Sequence, residues 1–153
     1  MIFNEFWDNL KRIEEGITIH RPVPLKVVKA YWGAPPQAIP DVPVMLNGLC
    51  EPERTLGFGS REARMRINIQ LLAARARVED DRSSLIATAF WFAAKDIFDK
   101  DPTIGGTVSF ATLKGVDPRG YDPTVPVILS HSGQAYIGFN AALDMHVFED
   151  FEF

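Results

Sequence analysis

The sequence predicts an α+β fold: a single domain over residues 1–153, with two main helices packed on a mostly antiparallel, mixed sheet. Three observations carry this. Apolar residues recur at helical spacing in two stretches, 2–14 and 83–101; they alternate strictly in two others, 61–71 and 137–147. Glycine- and proline-rich turns separate these stretches, and the order helix, strands, long strand, helix, strands is that of helices laid on a sheet, with no internal repeat.

In the first stretch Ile2, Phe3, Phe6, Trp7, Leu10 and Ile13 share one arc, while Glu5, Asp8, Arg12 and Glu15 occupy the other. This is an amphipathic helix that Gly16 ends. Seven of the eleven prolines follow between residues 17 and 52. That segment reads as turns and extended chain, with short strands at 26–32 and 42–49 and a stiff loop around Pro35, Pro36 and Pro40. Residues 51–60, with Pro52 and Gly57-Phe58-Gly59-Ser60, read as a loop or hairpin tip. From residue 61 the chain alternates, with Ala63, Met65, Ile67, Ile69 and Leu71 on one face and Arg64, Arg66, Asn68 and Gln70 on the other.

Residues 83–101 form the most strongly specified helix. Ser83 or Ser84 is placed to cap it, with Asp80 and Asp81 at its positive end. At about 100° per residue, Ile86, Ala89, Phe90, Ala93 and Ile97 form the face directed at the sheet. Trp91 and Phe98 leave that arc on one side and Phe92 on the other, so this helix needs a second cover, from its own chain or from a neighbouring subunit. Pro102 stops it, Gly105-Gly106 turns the chain, and a strand follows at 107–116. Asp117 to Gly120 has turn chemistry, 127–131 is a strand, and Ser132-Gly133 makes the hairpin into the last strand. There Ile137, Phe139, Ala141, Leu143, Met145 and Val147 face inward, and Asn140, Asp144 and His146 do not. The chain ends Phe148-Glu149-Asp150-Phe151-Glu152-Phe153, alternating aromatics with acids.

At 153 residues, 46% hydrophobic and 24% charged, the composition is that of one globular domain. A net charge of −4 argues against a surface gripping nucleic-acid phosphates over its whole extent, although residues 61–77 hold five arginines against Glu62. The lone Cys50 forms no intramolecular disulfide, the N-terminus lacks the basic segment of a signal peptide, and no apolar run approaches bilayer length. These features predict a product of a reducing cytosol with no membrane span.

Chemistry is sparsely nominated. Cys50 with His20 or His131 would make a thiol–imidazole pair, yet no nucleophile signature surrounds the cysteine, and packing is the simpler account. Asp144 and His146 share a strand face but lack a second histidine motif. Ser130-His131-Ser132 reads as hairpin chemistry, and Gly57-Phe58-Gly59 has no Gly-Lys-Ser/Thr after it. No catalytic, cofactor-binding or metal-binding residue is assigned, and the expectation is a protein that is not an enzyme and takes no cofactor.

Two motifs point elsewhere. An apolar helix followed by Asp101-Pro102-Thr103-Ile104-Gly105-Gly106-Thr107-Val108 and a strand, together with a last strand opening Gly133-Gln134-Ala135-Tyr136-Ile137-Gly138, resembles the tail terminator proteins of long-tailed bacteriophages. The resemblance covers the C-terminal half, and the order of elements extends over the chain; no motif matches in the N-terminal third. It implies a structural virion protein at the head-proximal end of the tail, made in the host cytoplasm. Such a protein caps the completed tail tube as a ring, a homohexamer in the family, stops its polymerisation and offers a surface to the head connector or head completion protein. Its partners would be its own copies, the tail tube protein and that head-side protein, with genome DNA passing through the ring and no sequence-specific contact to it. A closed ring needs two different complementary patches per subunit. The basic strand with Arg64 and Arg66, the aromatics Trp91 and Phe92, and the acidic, aromatic end with Phe148, Phe151 and Phe153 are the candidates. Other readings are a different neck or tube component, or a small hydrolase or ligand-binding domain with a pocket between sheet and helix.

Overall fold

The computed structural model describes residues 3–19, 26–33, 43–54, 62–76, 81–116 and 126–148. The elements in order are α1 (Phe3–Glu15), β1 (Thr18–Ile19), β2 (Lys26–Val27), β3 (Lys29–Trp32), β4 (Val44–Arg54), β5 (Glu62–Arg75), α2 (Asp81–Lys100), β6 (Phe110–Gly115), β7 (Val127–His131) and β8 (Gln134–Phe148). The main sheet runs β3-β4-β5-β8-β6, and β7 pairs β8 on the same edge as β6. Only β3–β4 is parallel, so the predicted α+β class with a mostly antiparallel, mixed sheet holds. β1 and β2 form a separate two-stranded ribbon that the sequence pattern did not separate from its surroundings.

The long strands obey their alternation. Met65, Ile67, Ile69 and Leu71 of β5 and Phe139, Ala141, Leu143, Met145 and Val147 of β8 are buried in one core with Phe6, Leu10 and Ile13 of α1. Burying Phe6, Leu10 and Ile13, about one apolar position per turn of α1, stabilises it more than its intrinsic propensity does. Both helices sit on this one side, and among the described residues no helix covers the other. A second, smaller cluster of Val44, Leu46, Leu72, Leu129 and Tyr136 closes the opposite face at one end only.

Three sequence expectations along β4 and α2 are corrected. Residues 51–54, expected in a loop, continue β4, and Pro52 is tolerated there because, among the described residues, β3 pairs β4 at residues 44–47 and none pairs β4 on that side at Pro52. Ser83 does not cap α2: the helix begins at Asp81, and the Ser83 hydroxyl donates to the Arg75 carbonyl at 3.4 Å, tying the helix start to the end of β5. The buried face of α2 is Ile86, Ala87, Phe90, Trp91, Ala94 and Phe98, rotated by roughly 80° from the expected arc, with Ala89, Ala93 and Ile97 only half-buried. Two large aromatics, Trp91 and Phe98, drive that rotation, since burying them removes more apolar area from water than burying Ala89 and Ala93.

Between α2 and β6 the Asp101 to Val108 motif forms a tight loop, so the strand expected at residue 107 starts at Phe110. Ile104, Gly105 and Gly106 take φ of 49°, 64° and 81° in succession. A positive φ is uncommon for any residue but glycine and strained for a β-branched one, and Ile104 adopts it while fully buried. The β7–β8 hairpin is as predicted: Ser132 and Gly133 have φ of 48° and 77°, the two positive values of a type I′ turn.

Candidate functional site

The side of the sheet on which the described residues place no helix carries the outward-facing residues of β5 and β8. Across it run two registered rows: Glu51, Arg66, Asp144 and Thr112, and beside them Arg64, His146 and Phe110. Strand pleating decides this, because every second residue of β5 and β8 must turn away from the core. Arg66 grips Asp144 through two parallel bonds, Nε to Oδ1 at 2.7 Å and Nη2 to Oδ2 at 3.0 Å, and Lys114 Nζ lies 3.6 Å from the same carboxylate. Partial burial pushes the Asp144 carboxyl up, but the Arg66 contact, with Lys114 behind it, outweighs this and holds it below the usual carboxylate range. Asn68 Nδ2 donates to Glu51 Oε1 at 3.3 Å. Arg64, Arg66, Lys114, Glu51, Asp144 and His146 together line an open hollow of about 640 Å³. A second hollow of about 450 Å³ continues the face toward Asn68, Gln70, Asn140 and His131, with Gly33 and Val116 at its sides. Both lie on the helix-free side, so neither is the pocket between sheet and helix that a hydrolase reading would call for.

The predicted contact residues divide. Arg64 and Arg66 are exposed on this face as their alternation requires, but Arg66 already has its counter-charge in β8. Trp91 is 5% exposed and packs against Phe139 with ring centroids 5.4 Å apart; its area is used in its own chain's core, and it is no surface contact. Phe92, one residue on, is 62% exposed. With Leu85, a helical repeat of seven earlier and also exposed, it forms an apolar stripe on the outside of α2. Phe148 closes β8 opposite Glu62; Phe151 and Phe153 lie outside the described residues, as do His20, the Pro35 to Pro40 loop, Gly57 to Ser60 and Asp117 to Gly120. Sequence reasoning did not find Phe110, which is exposed and pairs with His146; its position at the start of β6 became visible only with the register.

His131 stands in β7 and His146 in β8, and Cys50 pairs with Ile67 in the β4–β5 ladder. Among the described residues no three His, Cys, Asp or Glu side chains gather as metal ligands would, and no helix is long and apolar enough to cross a membrane.

Both motifs that carry the resemblance have a structural account. In the first, the Asp101 carboxylate accepts the Gly105 N–H and the Thr103 hydroxyl, Thr103 Oγ1 accepts the Gly106 N–H, and Ile104 plugs the core beneath. In the second, Tyr136 fills the small cluster, and Gly138 lies so close to the Leu71 carbonyl, beside the bulge between Leu72 and Ala74, that a Cβ there would overlap it. No family model matches the chain, and no curated protein matches it.

Proposed function

We propose that this chain is a structural assembly protein, a tail terminator that forms a ring on the end of a completed phage tail tube. In this role it halts tube growth and presents a surface to the head-side connector. What supports the reading is the pairing of the two motifs with a helix-free, charged sheet face: the motif residues build turns and close strand packing, and the exposed face is suited to contact with other subunits. The work is interface complementarity, with no bond made or broken. One face of each subunit is the polar sheet surface around Arg64, and a second, of different character, is the apolar stripe of Leu85 and Phe92 or the acidic chain end after Phe148. Two unlike patches are what a head-to-tail ring requires, six copies being the number the resemblance suggests.

The test is deletion of the gene in its phage, with tail lengths scored by electron microscopy. Loss of the protein should give overgrown tails, and normal lengths would reject the assignment. Complementation with Arg64→Glu then examines the charged face separately: normal tails with this variant would leave the terminator role standing and remove that contact.

A further inference from the structure

Among the described residues, Glu14 is the one acid whose side chain is fully buried. It leaves the C-terminal end of α1, where the negative end of the helix dipole disfavours a carboxylate, and reaches β4 next to its bulge. There Asn47 Nδ2 donates to Glu14 Oε2 at 3.0 Å and to the Tyr31 carbonyl of β3 at 3.0 Å. Two acceptors stay unpaired in the same contact, Glu14 Oε1 and Asn47 Oδ1. Buried acceptors without donors are costly, and an ionised carboxylate has none to offer. A proton on Glu14 removes the charge and turns one of its two acceptor oxygens into a donor.

We propose that Glu14 is held as a neutral acid that latches α1 to β4, and that loss of its proton to water opens the α1 end of the fold. Burial pushes this carboxyl up to about 8, with the Asn47 bond pulling the other way and the charge of Glu15 adding to the rise. Glu15 is the charged group acting on it; β4 presents Asn47, and β3 presents the Tyr31 carbonyl and the Ala30 N–H, the latter 3.5 Å from Glu15 Oε1. The latch joins the C-terminal end of α1 to β3 and β4, and the same helix also meets β3 through the Trp7–Trp32 contact, whose ring centroids are 4.8 Å apart. Opening there uncovers Ile13 and Leu10 without breaking the β5–β8 ladder. The inference rests on the fold and holds whether or not the chain terminates tails.

Carbon-13 NMR of the Glu14 carboxyl, with native-state hydrogen exchange of the full chain over the same pH range, decides it. The carboxyl should titrate near 8. Protection at the amides of residues 10–15 should fall by about tenfold per pH unit between the ordinary carboxylate range and that value, then level off. These amides should exchange at lower cost than those of β5 and β8, and Glu14→Gln should abolish the slope. A carboxyl titrating in the ordinary range, α1 amides exchanging only together with β5 and β8, or an unchanged slope in Glu14→Gln would each overturn the latch. The first two are read on the parent chain, so the outcome does not depend on the variant folding.

Discussion

The Asp101 carboxylate accepts the backbone N–H of Gly105 through both oxygens, at 3.2 and 3.1 Å, and so closes the loop that turns α2 into β6. That contact explains why an aspartate sits four residues ahead of the glycine. Of the three consecutive left-handed residues, Ile104 donates its N–H to the Asp101 carbonyl and Gly106 to Thr103 Oγ1, and the carboxylate is the acceptor that satisfies Gly105 between them. Asp101→Ala should therefore lower stability by about 1–2 kcal/mol. Asp101→Asn, which keeps one acceptor, should lose less. Within the same loop, Gly105→Val should be the worse of the two valine substitutions: its Cβ would run into the Asn9 side chain on α1, whereas nothing lies within 4 Å of one at Gly106. Denaturant midpoints would check the order. Equal losses at both glycines would mean that backbone strain alone matters there.

Trp91 and Phe92 are neighbours in sequence with opposite environments, so their alanine variants should separate cleanly. Trp91→Ala empties a space against Phe139 and should cost about 3–5 kcal/mol. Phe92→Ala should leave the single chain within about 0.5 kcal/mol of the parent. The same variant is the more informative one for assembly, since sedimentation of Phe92→Ala would show whether the α2 stripe joins copies.

Asp144 sets an acid limb on stability. Its carboxyl is depressed in the folded chain, so its contribution is present above the unfolded value of 3.8 and is lost as pH falls through the lower folded value. The pair with Arg66 is partly exposed, which limits it to about 0.2–1 kcal/mol. Arg66→Ala should raise the Asp144 titration and flatten that limb, read by carbon-13 NMR and by denaturant midpoints below pH 4. An unmoved titration in Arg66→Ala would show that Lys114 alone holds the carboxylate ionised.

Periodicity determined the inward face of β5 and β8 and the arc of α1, and together with turn chemistry it determined the fold class and the hairpin at Ser132-Gly133. In each case one sequence position fixes one direction, because a strand alternates and a two-residue turn needs its particular φ values. The charged face around Arg64, Arg66, Asp144 and His146 was half legible for the same reason: each strand marks its outward residues, but which acid meets which arginine depends on register between positions 78 residues apart. Only the tertiary structure could decide the rest. The rotation of α2 was open because apolar residues surround most of that helix, so the choice of buried side fell to how Trp91 and Phe98 fit the sheet. Glu14 carried no signal of its own, an acid beside another acid at a helix end. Its burial follows from β4 presenting Asn47 at that point, a meeting of residues 33 apart that no local pattern encodes.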